Sequence, residues 1–256
     1  MHGNFVWYEL MTTDAKAAEK FYTTVVGWTA KDAGMPGMSY TLLSAGEAQV
    51  AGMMTMPSEA CTPGWKPGWV GHIGVSDVDD YTKRVKQGGG RVDREPTDIP
   101  SIGRFSVVAD PQGASYMMFK GEGEMPKPPA MMAPGTVGWH ELHAADWHKA
   151  FDFYSGLYGW QKRDAMDMGP MGTYQIFAAS SADPNEAIGG MMTDTQGPTP
   201  YWAYYFSVSS ITAAVTTVKD NGGKVLNGPM EVPGGMWIIN GQDPQGAMFA
   251  LVGPKG

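Results

Sequence analysis

The chain is written twice. Residues 3–28, "GNFVWYELMTTDAKAAEKFYTTVVGW", lie over residues 135–160, "GTVGWHELHAADWHKAFDFYSGLYGW", with ten of 26 positions identical and no gap. The matches include Trp7/Trp139, Glu9/Glu141, Asp14/Asp146, Phe21/Phe153, Tyr22/Tyr154 and Gly27-Trp28/Gly159-Trp160. Further along, "GMMT" recurs at Gly52 and Gly190, "DPQGA" at Asp110 and Asp243, and a Gly-Gly-basic-Val turn at Gly89 and Gly222. Two halves with the same motifs in the same order mean a duplicated domain. Between them runs "GEGEMPKPPAMMAPG", rich in Pro and Gly and poor in strand and helix formers, which reads as a linker. The boundaries that follow are a first domain over 1–121, a linker over 122–134 and a second domain over 135–256.

Each half reads as strand, helix and about three strands, twice over. "FVWYELMT" alternates and is rich in aromatic and branched residues, so it is a strand. Asp14 is a good N-cap for the helix that follows. That helix puts Ala18, Phe21, Tyr22 and Val25 on one face, and its copy puts Ala150, Phe153, Tyr154 and Leu157 there. Short strands are expected around "SYTLLSA" and "AQVAGMMT", and another at "GHIGVS". A helix over 78–87 stops at Gly88-Gly89-Gly90. Its counterpart carries Ile211, Ala214, Val215 and Val218 and ends at Asn221-Gly222.

Composition narrows the function classes. A net charge of -8 argues against nucleic acid and anionic membranes as partners, because phosphate binding needs clustered Lys and Arg. The single cysteine, Cys61, leaves no internal disulfide and suits a reducing, cytoplasmic compartment. The opening residues lack a signal-peptide pattern, and no apolar run is long enough for a membrane span. Twenty methionines make either a plastic core or an adaptable apolar pocket. No phosphate loop and no Gly-x-Ser-x-Gly nucleophile elbow is present.

A βαβββ unit whose first helix ends in "FY…GW", with "GHIGV" opening the second unit and "DPQG" before its last strand, resembles the vicinal-oxygen-chelate superfamily. That is the glyoxalase, bleomycin-resistance and extradiol-dioxygenase group, and the resemblance covers nearly the whole chain outside the linker. It implies an α+β fold of tandem duplicated domains, each of two βαβββ units forming a cup-shaped mixed sheet. It does not imply one reaction, since the superfamily hosts many chemistries and simple binders.

The resemblance also implies where a divalent metal would be held. The first ligand position falls on Trp7 and Trp139, the second near "AGMM" and "GGMM", the third on His72 and Tyr205, and the fourth on Met117 and Ala250. Only His72 is of a ligating type, whereas a catalytic site normally uses about three protein ligands. No metal site and no cofactor is therefore expected, with a weakly held divalent metal as the alternative. The histidines of "GWHELHAADWHKAFDFY" do not rebuild a site. His140 and His143 fall on opposite strand faces, and His148 follows a helix cap.

The candidates that remain are Glu9 and His72 for catalysis, with Trp7, Met117, Arg104, Trp139, Glu141, His143 and Tyr205 for ligand binding. Glu9 and Glu141 recur in both copies on one strand face, which the resemblance implies points into the cup. A carboxylate there is either a structural anchor or a base with a raised pKa. His72 is either a proton-transfer partner for Glu9 or a vestigial ligand. His143, beside Glu141, would suit an anionic group, as would Arg104 if it pointed inward. Three readings follow: a small-molecule binder with metal-free apolar cups, a lyase, isomerase or dioxygenase-type enzyme using Glu9 and His72, and an interaction scaffold with filled cups. The expected partner is a small-molecule ligand, and the chain is either a monomer with paired halves or a homodimer.

Overall fold

In a computed structural model the described residues are 2–35, 37–57, 61, 65–123, 130–179, 187–194, 197 and 199–256. The first repeat holds β1 (Phe5–Thr12), α1 (Ala15–Val26), β2 (Thr29–Asp32), β3 (Tyr40–Ala45) and β4 (Ala48–Thr55). It continues with β5 (Gly68–Gly74), α2 (Val78–Gln87), β6 (Arg91–Ile99), β7 (Gly103–Ala109) and β8 (Ser115–Gly121). The second holds β9 (Val137–Ala144), α3 (Trp147–Tyr158), β10 (Gln161–Asp167), β11 (Thr173–Ala178) and β12 (Gly189–Thr193). It ends with β13 (Tyr201–Ser207), α4 (Ile211–Asp220), β14 (Lys224–Val232), β15 (Met236–Gln242) and β16 (Met248–Gly253). This is the expected α+β order of strand, helix and three strands, four times over. Strand order is β2-β3-β4-β1-β5-β8-β7-β6 in one sheet and β10-β11-β12-β9-β13-β16-β15-β14 in the other.

Local chemistry explains the element ends. Asp14, Asp77, Asp146 and Ser210 each accept a hydrogen bond from a backbone N–H of the first helical turn. Gly27 and Gly159 close α1 and α3 in the left-handed conformation. On β1, Leu10 is fully buried, while Trp7 and Met11 on the other face are half-buried.

The chain forms two compact units that each take one βαβββ module from each repeat. One contains Met1–Val6, Gly71–Lys127 and His140–Trp202; the other contains Trp7–Val70, Pro128–Trp139 and Ala203–Gly256. The repeated motifs account for this exchange. In the second unit the Tyr22 hydroxyl donates to Asp243 of the later "DPQGA" at 3.1 Å and accepts from the Trp69 indole at 2.9 Å. In the first unit Tyr154 donates to Asp110 of the earlier "DPQGA" at 3.2 Å and accepts from Trp202 at 3.0 Å. The other carboxylate oxygen of each aspartate accepts two backbone N–H groups of its own turn. The tryptophans of "GW" follow the same rule, Trp28 donating to the Gly135 carbonyl and Trp160 to the Gly3 carbonyl, both at 2.6 Å.

The helix faces agree with the sequence except at two residues. Ala18, Phe21, Tyr22 and Val25 are buried on α1. On α3 the buried face is Trp147, Ala150, Phe151, Tyr154, Leu157 and Tyr158, and Phe153 is only half-buried. Trp147 enters the core one turn early and rotates the stripe toward Phe151. On α4, Val215 is likewise half-buried beside buried Ile211, Ala214 and Val218. Phe21, 2% exposed, should therefore cost about 3–5 kcal/mol on replacement by Ala, and Phe153 less than about 2 kcal/mol. Urea unfolding of the two variants checks this, and equal losses would contradict the assigned face of α3.

Candidate functional site

Both repeats build the same three-residue device from strand register. β1 runs parallel to β4 with Glu9 beside Gly52, and β3 runs antiparallel to β4 with Leu42 beside Gly52 and Tyr40 beside Met54. A Cβ at Gly52 would run into the Tyr40 ring, so only glycine lets that ring cross the strand. The Tyr40 hydroxyl then donates to Glu9 Oε2 at 2.7 Å and accepts from the Trp7 indole at 3.1 Å. In the second repeat Glu141 lies beside Gly190, a Cβ at Gly190 would run into Tyr174, and Tyr174 donates to Glu141 Oε2 at 2.8 Å. The recurrent Gly of "GMMT" thus exists to admit a tyrosine to a glutamate. Sequence reasoning missed both tyrosines, although "YTLLSA" and "YQIFAA" each open with one.

The two glutamates differ at the other oxygen. Glu9 is 6% exposed, and its Oε1 is shielded from solvent with no hydrogen-bond partner among the described residues. Burial pushes its pKa up to about 7, against the lowering effect of the Tyr40 and Trp7 hydrogen bonds. Around it Trp7, Met11, Leu42 and Met54 are half-buried. Glu141 Oε1 instead meets His143 Nε2 at 2.8 Å, and His143 Nδ1 meets Asp194 Oδ2 at 3.0 Å. The imidazole is stacked on Tyr201, with ring centres 4.5 Å apart and planes 5° off parallel. Burial disfavours charge on His143, but the hydrogen bonds and charges of Glu141 and Asp194 outweigh it and raise its pKa. Carboxylates engage both ring nitrogens, so His143 does not offer them to the anionic group expected from the sequence. Tyr201 is pushed up to about 12, by burial first and then by the charges of Glu141 and Asp194.

The remaining candidates are dispersed. Glu9 and His72 belong to different compact units, each with its own surroundings. His72 is buried beside Met117 in register, its Nε2 has no partner among the described residues, and burial lowers its pKa to about 3. Trp139 packs on a cluster of Tyr205, Ala250 and Val252. Arg104 is bound by Asp79 at 2.7 and 3.0 Å and by Asp98 at 2.7 Å. His140 is buried against the Ile188 carbonyl and stacked on Phe5, and His148 is exposed.

The chain belongs to the Glyoxalase/Bleomycin resistance protein/Dioxygenase superfamily, whose profile matches residues 4–117 and 136–251. CFP32 of Mycobacterium tuberculosis (strain CDC 1551 / Oshkosh), named provisionally as a glyoxylase, is 31% identical over 251 residues, or 97% of this chain and 94% of that protein. The anthracycline biosynthesis protein DauV of Streptomyces sp. (strain C5) is 32% identical over 260 residues, or 96% and 91%. Among solved structures, the Mn(II)-bound glyoxalase of Novosphingobium aromaticivorans has a TM-score of 0.64 at 17% identity, covering 100% of this chain and 83% of that one. The 2,2',3-trihydroxybiphenyl 1,2-dioxygenase of Sphingomonas wittichii strain RW1 has a TM-score of 0.68 at 13% identity, covering 98% and 90%.

The donor set here does not fit a divalent ion such as the Mn(II) of the glyoxalase neighbour. Of the side chains at the implied ligand positions, the Trp7 indole donates to Tyr40, Trp139 packs with Tyr205 and Ala250, and Met117 is a thioether, which leaves the His72 imidazole alone. Among the described residues no three His, Cys, Asp or Glu side chains gather to hold an ion. No helix of the described residues is long and apolar enough to cross a membrane.

The raised pKa of Glu9 carries a stability signature. The folded chain keeps this proton up to about pH 7, whereas the unfolded chain releases it near 4.5. Stability from this group is thus fully present below 4.5 and is lost as pH rises to 7, on the order of 3 kcal/mol in all. Wild type should lose that amount relative to Glu9→Gln between pH 4.5 and 8 in urea unfolding. A difference that does not change with pH would contradict it.

Proposed function

We propose that this chain binds a small organic molecule on the Glu9 face of its first repeat, without a metal. The observation that carries this reading is the buried Glu9 Oε1, which has no hydrogen-bond partner among the described residues while Oε2 is fixed by Tyr40. A buried acceptor left unpaired costs about 1–3 kcal/mol, more when charged. An apolar surround with one oriented polar group is the usual form of a small-molecule site. Trp7, Met11, Leu42 and Met54 supply that surround, and the methionines can reshape to admit a ligand. The names of the relatives, a glyoxylase and anthracycline biosynthesis proteins, both refer to small-molecule chemistry.

A second reading, proton transfer by Glu9, is favoured by its pKa of about 7, close to a working pH for a general base. The packed cluster of Trp139, Tyr205, Ala250 and Val252 supports the filled-cup reading for those positions of the second repeat.

Methyl NMR of the methionines tests the binding reading against a set of small aromatic and carbonyl compounds. A binding compound should shift the Met11 and Met54 methyl signals, assigned by substitution, and its quenching of tryptophan fluorescence should shrink in Trp7→Phe. Compounds that bind yet shift only methyls remote from Glu9 would overturn it.

A further inference from the structure

The second repeat shows what kind of group satisfies this glutamate. Three side chains form the nest around Glu141 Oε1: His143 on β9, Asp194 just past β12 and Tyr201 at the start of β13. Their counterparts in the first repeat follow from equivalent bonds. Asp194 N donates to the Ala144 carbonyl as Met56 N donates to that of Thr12, so Met56 stands for Asp194. Trp202 donates to Tyr154 as Trp69 does to Tyr22, so Gly68 stands for Tyr201. Met11 lies beside Met54 as His143 lies beside Met192. A ring, a carboxylate and a stacking platform are thus replaced by Met11, Met56 and Gly68, none of which carries a side-chain donor.

We propose that the first repeat binds a flat aromatic molecule, uncharged or cationic, that donates an N–H or O–H to Glu9 Oε1 in the place the His143 ring takes against Glu141. This rests on the reading of the Glu9 face as a small-molecule site and names its ligand class. Among the described residues a Cβ added at Gly68 meets nothing within 4 Å, whereas the second repeat carries the Tyr201 side chain at the equivalent position. An anionic ligand is disfavoured, since its charge would meet the Glu9 carboxylate in an apolar surround. With Glu9 ionising near pH 7, a neutral donor should bind more tightly as pH rises through that value.

Calorimetry on the full chain with three probes tests the proposal: benzimidazole, 1-methylbenzimidazole, which lacks the ring N–H, and benzoate. Benzimidazole should bind at least about tenfold more tightly than its methylated form, the worth of one hydrogen bond to a charged acceptor, and benzoate should not bind. Glu9→Gln should erase the preference for the N–H. The triple variant Met11→His, Met56→Asp, Gly68→Tyr rebuilds the second-repeat nest, leaves Glu9 in place and should abolish binding, with circular dichroism confirming its fold. If that variant does not fold, Gly68→Tyr alone should weaken binding. Equal, Glu9-dependent binding of 1-methylbenzimidazole or benzoate would overturn the ligand class and leave the small-molecule site standing. No binding of benzimidazole at millimolar concentration, or binding indifferent to Glu9→Gln and Gly68→Tyr, would overturn the inference, and the methionine methyl shifts with other compounds would still judge the broader reading.

Discussion

Tyr22 and Tyr154 each hold the aspartate of a "DPQG" turn that belongs to the other repeat. Each hydroxyl is itself held by a tryptophan, and each aspartate organises its turn through two backbone N–H groups. Burial raises the pKa of both aspartates, so a carboxylate deprived of its tyrosine would stay shielded and short of a donor. These bonds place one module of each repeat in each compact unit. Residues 1–121 alone would contain Tyr22 and Asp110 but neither Asp243 nor Tyr154, which they hold in the full chain. The domain written in the sequence and the body that packs are therefore different divisions of one chain.

Within this frame a second duplicated device sets the chemistry. A glycine on β4 or β12 lets a tyrosine cross to a glutamate on β1 or β9, and fixes one carboxylate oxygen. The copies diverge at the other oxygen. Glu141 receives an imidazole whose raised pKa favours its charged form, while Glu9 is left in an apolar surround that raises its own pKa. One duplication has thus yielded a glutamate satisfied from within and another that has a bond to offer.

Much of this was legible in the sequence, because repeats, caps and strand alternation are local. The duplicated strand and helix, the caps at Asp14 and Asp146, and the recurrence of Glu9 and Glu141 at one place on the strand all followed from spacing. What escaped notice depends on register or on distant partners. Tyr40 and Tyr174 sit 134 residues apart rather than 132, and their role appears only when β3 is laid beside β4. The "DPQGA" aspartates read as turn residues, since nothing near them in sequence announces a tyrosine 44 or 221 residues away. The phase of the α1 stripe puts Phe153 in the core, and Trp147 shifts that phase on α3. Asp194 lies past the end of a strand, where no periodicity marks it.

Glu9 is a buried carboxyl with one oxygen fixed by Tyr40 and the other unpartnered among the described residues. Carbon-13 NMR titration of the glutamate carboxyls, with Glu9 assigned by its loss in Glu9→Gln, measures this directly. Glu9 should titrate with a midpoint near pH 7; a midpoint near the ordinary 4.5 would show a hydrated carboxylate and contradict its burial.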